Sequence, residues 1–297
     1  MPLNFVKKEK NNQQDMTRVI LVAGLPKSGK TTLITSIYEG FQKKFFSTYL
    51  FAGSRTLLQF EELCFPSRIT SLNISPETIE TERSSHNQQS YLHCKICSIK
   101  NTQSKYNLYF TDLPGELFDI LKYKPTKKVN EINEQLRIAD RFVFLFDCEK
   151  FDNLKIRNQA FSSGKIIIDE CLKTGLLGEN PYIDIVFSKY DIIQSMQPGQ
   201  QVIFKQSIKD QTNALLEQFK NKCIMNFFEI SVRDTLDYDH ESNLEKLFKE
   251  WVENKRKHIA KHTAKKKPIP NKFPKKRKKT NRAKKKKKNV HKALYTR

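Results

Sequence analysis

The sequence lacks any apolar run long enough to cross a membrane. Its longest runs, such as 142–146, suit a buried strand and fall well short of the roughly 20 residues a spanning helix needs. Acidic residues are missing from one long stretch: positions 254–297 hold 21 Lys and Arg and no Asp or Glu. That leaves 33 basic against 32 acidic residues on positions 1–253, so the formal charge of +22 belongs to the C-terminal stretch and the rest is near neutral. A secretory signal pattern is also missing, since residues 7–15 are polar. The six cysteines form no disulfide framework, and most lie inside apolar stretches. A cytoplasmic, reducing location is the resulting expectation.

His93, Cys94 and Cys97 have the look of half a zinc site, but no second pair stands nearby at ligand spacing. The segment reads as a strand, in which neighbouring side chains alternate faces, so strand residues are the preferred reading.

What is present is an alternation of short apolar runs and helical patterns. Residues 1–16 are expected to be a flexible arm. A β-branched run at 18–23 predicts a buried strand, 24–29 a loop, and 30–42 a helix with Leu33, Ile37 and Phe41 on one face. Residues 43–90 are the hardest to assign: 49–63 is apolar around Gly53, and 75–90 is polar and expected to be a mobile loop. Two strands, 91–99 and 106–112, are expected to form a hairpin. Helix 127–139, strand 141–147, helix 154–174, strand 182–188, a helix near 201–220, strand 226–231 and a closing helix over 244–251 complete the pattern. Strands alternating with helices predict an α/β fold of three layers, a mostly parallel sheet with helices on both faces. The expected organisation is one domain over 17–254, with 43–90 as an insertion and switch region, followed by a disordered basic tail over 255–297.

The chemistry is carried by four segments, each at the carboxyl end of a predicted strand, where ligands bind in open α/β sheets. Gly24-Leu25-Pro26-Lys27-Ser28-Gly29-Lys30-Thr31 matches G-x-x-x-x-G-K-[ST]. Its glycines permit close backbone approach, and its N–H groups and the helix start point at phosphate oxygens. Lys30 neutralises the β- and γ-phosphates and the Thr31 hydroxyl ligates Mg²⁺, with Thr32 beside it. Asp112-Leu113-Pro114-Gly115 is D-x-x-G: Asp112 can hold the metal through water, and the Gly115 N–H can sense the γ-phosphate. Ser188-Lys189-Tyr190-Asp191 resembles the guanine-reading [NT]-K-x-D. The Asp191 carboxylate can accept from the guanine N1–H and N2–H₂ donors, which adenine lacks. Lys189 would lay its stem across the base. Ser188 keeps a hydroxyl in place of Asn or Thr but with less reach. Ser231 and Val232 stand where a further loop could cap the guanine O6. These residues make GTP or GDP with Mg²⁺ the expected ligand.

In that order the motifs resemble a P-loop GTPase of the Ras-like, translation-factor-related class. More closely, the sequence is similar to the bacterial double-GTPase, or GTPase-associated system, family. That resemblance rests on residues 23–34, on Phe51-Ala52-Gly53-Ser54-Arg55-Thr56-Leu57, on Phe110-Thr111-Asp112-Leu113-Pro114-Gly115-Glu116, and on Ala139-Asp140-Arg141-Phe142. It covers roughly residues 17–250 and implies a switch acting beside other components in bacterial conflict or defence. Glu116 departs from the Gln that often follows D-x-x-G to orient water, so slow intrinsic hydrolysis is expected. The switch hydroxyl over Mg²⁺ falls among Thr81, Ser84 and their neighbours, with Arg83 as a candidate arginine finger; Arg55 is open between a structural and a switch role. The alternative function is a nucleotide-binding scaffold that hydrolyses little and recruits a partner. A protein effector or activator is unidentified by sequence. The Lys runs 265–267, 275–279 and 284–288 fit a non-specific polyanion such as nucleic acid, an anionic membrane surface, or a merely solvated tail.

Overall fold

A computed structural model describes residues 15–67, 91–121, 129–151, 153–231 and 243–253. Seven strands form one sheet in the order β2-β3-β4-β1-β5-β6-β7. They are β1 Met16–Gly24, β2 Tyr49–Gly53, β3 Tyr91–Ser98, β4 Lys105–Asp112, β5 Arg141–Asp147, β6 Tyr182–Ser188 and β7 Ile224–Ile230. Strands β4, β1, β5, β6 and β7 pair in parallel. Strand β3 is antiparallel to both β4 and β2, so it alone runs against the rest. The chain enters β1 at Met16, inside the expected arm, and Asp15 already pairs with Lys95 at 2.7 Å.

Helices α1 Lys30–Gln42, α2 Leu57–Cys64, α3 Gly115–Ile120, α4 Val129–Ile138, α5 Leu154–Lys173, α6 Asp191–Gln194, α7 Pro198–Phe219 and α8 Asn243–Glu253 cover both faces. The period of two in the central strands divides the core. Leu21, Ala23, Phe142, Phe144, Phe146, Ile183, Ile185 and Phe187 face α3, α4, α5 and α7 through Phe118, Leu136, Phe161 and Leu215. Ile20, Val22, Val143, Leu145 and Val186 face α1, α2 and α8 through Leu33, Ile37, Phe60, Phe248 and Trp251. Such strands are apolar on both sides, as a parallel sheet covered twice requires.

The family-like segment at 139–142 is structural. Ala139 is buried, and the Asp140 carboxylate accepts from Val19 N at 2.9 Å. Arg141, 1% exposed, donates to both oxygens of the fully buried Asp184 at 3.0 and 3.2 Å and to Glu250 O at 2.8 Å. Asn226 Nδ2 and Trp251 Nε1 also donate to Asp184, at 2.8 and 3.0 Å. Each lone pair of this buried carboxylate therefore has a donor, which is the condition for a buried ion pair to be tolerated. The network fastens α8 to β5, β6 and β7.

Within the 43–90 insertion, residues 43–67 add edge strand β2 and helix α2. The 54–56 turn docks on β3: Thr56 Oγ1 accepts from His93 N at 2.8 Å, and Arg55 N donates to His93 Nδ1 at 2.9 Å. His93 Nε2 lies 3.1 Å from Asn107 Oδ1, so both ring nitrogens are engaged. Cys94 packs into the core with Leu92 and Ile96. His93 and Cys94 are thus strand residues with separate surroundings. Arg55 sits at the level of His93, which pairs with Tyr109 and through it with Val19. Val19 lies about five residues before Gly24, or roughly 16 Å down the strand axis. The phosphate loop also lies three strands away. The Arg55 backbone therefore lies in the insertion, away from the loop after β1 along the sheet.

Candidate functional site

The ends of β1, β4, β5, β6 and β7 converge on one edge of the sheet. After β1 the chain turns through Lys27 (φ 64°) and Gly29 (φ 85°) into α1. Gly29 is the residue before α1, and its left-handed backbone is the conformation glycine adopts without a Cβ penalty. The loop leaves the first N–H groups of α1 without side-chain caps. Those donors and the helix dipole form an anion-binding end.

Lys30 is 6% exposed and folds back over the loop, its Nζ donating to Gly24 O and Leu25 O at 3.2 Å each. Burial pushes its pKa down to about 8; Asp112 and Glu116 pull it up, and Lys150 pushes it further down. A buried ammonium hydrogen-bonded to two carbonyls favours an added anion.

Thr31 Oγ1 lies 3.2 Å from both carboxylate oxygens of Asp112. The two come from α1 and the end of β4. They make a hard-oxygen pair of the kind Mg²⁺ selects, so the residues present fit that ion. Gly115 opens α3 directly against the phosphate loop: an added Cβ would stand 2.4 Å from Pro26 N and 2.7 Å from Leu25 C. Only glycine allows D-x-x-G to approach the loop this closely. Glu116, next along, is exposed in the first turn of α3.

Ser188 was expected to reach less far than Asn. Its hydroxyl nevertheless lies 2.7 Å from Ser28 O and 3.2 Å from Phe146 O. The loops are close enough that a short side chain joins them. Tyr190 N donates to Ile230 O at 3.2 Å, which brings the end of β7 and Ser231 beside this turn. Asp191 starts α6, half-exposed, and Ser231 lies 3.4 Å from Gln194 on the same helix. Val232, Thr81, Ser84 and Arg83 lie outside the described residues, as does the 255–297 tail.

A segment that the motif reading passed over completes the edge. After β5, residues Asp147, Glu149 and Lys150 turn toward both loops. Lys189 Nζ donates to Asp147 Oδ2 at 3.2 Å and pairs with Glu149. Lys150 Nζ donates to Pro26 O at 3.4 Å. Burial raises the Asp147 pKa, and Lys189 opposes it. The Lys189 partner lowers that of the exposed Glu149.

This fold and edge define a P-loop nucleotide-binding protein of the GTPase class. The chain belongs to the Double-GTPase 2 family, whose model matches residues 18–252. No curated protein matches it. Among solved structures it is similar to the crystal structure of an ADP ribosylation factor-like GTP binding protein, the small COPII coat GTPase SAR1 from Encephalitozoon cuniculi in complex with GDP. Identity is 14%, covering 80% of this chain and 78% of that one, with a TM-score of 0.39. Among the described residues no helix is long and apolar enough to cross a membrane.

Proposed function

We propose that the chain binds GTP and GDP with Mg²⁺ and hydrolyses GTP slowly, as a two-state switch. The observation that carries this reading is the bond from Ser188 Oγ to Ser28 O at 2.7 Å, which makes the Ser188–Asp191 turn and the phosphate loop one unit. A base held by that turn has its phosphates over Gly24, Pro26, Lys27, Ser28 and Gly29. Asp191 reads the guanine donors, and the segment beginning at Ser231 and Val232 is assigned the cap on the guanine O6. Lys30 and the start of α1 bind the phosphates, and Thr31 and Asp112 would hold Mg²⁺. The ion would supply charge neutralisation on the phosphoryl oxygens. Gly115, packed against Pro26, offers its N–H to the γ-phosphate in this reading. A hydrolytic water needs an orienting group, and Glu116 offers a carboxylate that also repels the anion; this is why turnover should be slow. Thr81 or Ser84 supplies the switch hydroxyl. The basic residues 255–297 add a salt-sensitive polyanion contact, and a defence role follows from the family resemblance alone.

The test is the affinity of the full chain for GTP, GDP and ATP with Mg²⁺, wild type against Asp191→Ala and Lys30→Ala, followed by single-turnover hydrolysis. GTP bound far more tightly than ATP, with the preference erased by Asp191→Ala, supports the reading. Equal ATP and GTP affinity, unchanged in Asp191→Ala, rejects the Ser188–Asp191 turn as a base reader. Tight GTP binding with no turnover, and none gained in Glu116→Gln, favours the scaffold alternative.

A further inference from the structure

The ion pairs around Lys189 have no counterpart in the four motifs. Lys189 adopts φ 54°, a left-handed backbone that a residue with a Cβ adopts at a cost of roughly 1 kcal/mol. From there its side chain leaves the end of β6 and crosses toward the end of the neighbouring β5, where Asp147 Oδ2 accepts at 3.2 Å. Asp147 is 5% exposed, and its other oxygen accepts from Glu149 N at 3.1 Å. That bond fixes the turn so that Glu149, from solvent, meets the same ammonium. Lys150 then anchors the turn on Pro26 O. A flexible four-carbon stem is thus held at both ends, by a constrained backbone and by two carboxylates, one at the end of β5 and one in the turn that follows it. A lysine otherwise loses up to about 2 kcal/mol of rotamer entropy when it is ordered, and these contacts meet part of that cost before any ligand arrives.

We infer that Asp147 and Glu149 are positioning residues for the nucleobase: they stretch the Lys189 stem along the sheet edge so that its methylenes form a preset wall of the guanine slot. This rests on the proposed reading of the Ser188–Asp191 turn. The carboxylates touch no nucleotide themselves. Their proposed effect on the base runs through Lys189, and this separates the idea from a general stabilising role, to which the nearby Lys27 and Lys150 would also contribute.

The experiment is a double-mutant cycle on GDP affinity and dissociation rate in the full chain with Mg²⁺. It uses Asp147→Asn, Glu149→Gln and Lys189→Ala, alone and in pairs with Lys189→Ala. Each carboxylate variant should weaken GDP by about tenfold or less, the scale of one charge-assisted hydrogen bond, and speed its release. In the Lys189→Ala background the same changes should have no further effect. Because Glu149 is exposed, Glu149→Gln tests the idea even if Asp147→Asn fails to fold. Wild-type affinity in Glu149→Gln and in any folded Asp147→Asn overturns the inference, as does an equal loss in both backgrounds. If Lys189→Ala itself leaves GDP affinity and GTP preference unchanged, the base-reading assignment of Lys189 has failed, and the inference falls with it.

Discussion

Binding of GDP or GTP is expected to take up a proton near pH 8, and the reason lies in Lys30. Its ammonium is buried against Gly24 O and Leu25 O, and burial brings its pKa from 10.5 down to about 8. Polyphosphate oxygens beside it favour the charged form and restore a high pKa in the complex. In the free protein at about pH 8 the side chain is half neutral, so binding there captures about half a proton. At about pH 9 roughly one-tenth of the free protein is protonated, and affinity should fall by about tenfold, or about 1.4 kcal/mol. Calorimetric titration of Mg-GDP near pH 8, in two buffers of different ionisation enthalpy, counts the proton directly. Near pH 6.5, where Lys30 is charged in both states, its contribution to the linkage should vanish, leaving only that of the nucleotide's terminal phosphate. The sign for folding follows from the same shift. The unfolded chain holds the Lys30 proton up to about 10.5 and the folded one only to about 8, so this group makes the nucleotide-free protein more stable as pH rises through that window. Tight binding with no proton uptake near pH 8, in both buffers, would show that the ammonium is not desolvated as the geometry implies.

Three further outcomes follow from particular contacts. Gly115→Ala places a Cβ 2.4 Å from Pro26 N, a backbone atom that cannot swing aside, so thermal denaturation should show a loss of about 1–3 kcal/mol; an unchanged midpoint would mean that α3 does not sit against the phosphate loop. Arg141→Ala strands the buried Asp184 carboxylate and should cost about 3–5 kcal/mol in urea denaturation, with Asp184→Asn in the same background recovering part of it; additive losses would argue against a coupled pair. Removing residues after Lys255 deletes 20 basic side chains, so heparin retention at low salt should disappear while GDP affinity stays within about twofold; retention by the shortened chain would place the polyanion contact on the folded part.

Most strands and helices were legible because the central sheet is covered on both faces, so 142–146 reads as an unbroken apolar run and 182–187 is apolar apart from Asp184. The motifs were legible for a related reason: phosphate binding forces glycine, lysine and a hydroxyl into fixed spacing on one loop. The insertion obeys neither constraint. Strand β2 has only five residues and leaves Leu50 49% exposed, so apolar composition there does not mark burial. The Asp147–Lys150 turn was passed over for a different reason. A charged cluster after a strand looks like solvated surface, and its meaning lies in partners about 40 residues downstream at Lys189 and about 124 residues upstream at Pro26. Ser188 shows the converse. Its short side chain argued for a weaker tie, yet the tie is made, because reach depends on how closely two loops approach and not on the residue alone. A local rule therefore finds the proposed phosphate contacts, since one loop supplies them. The groups that hold such atoms in place come from whichever neighbouring strand end lies alongside, and in this sheet that neighbour is β5, the strand between the phosphate loop and the Ser188–Asp191 turn.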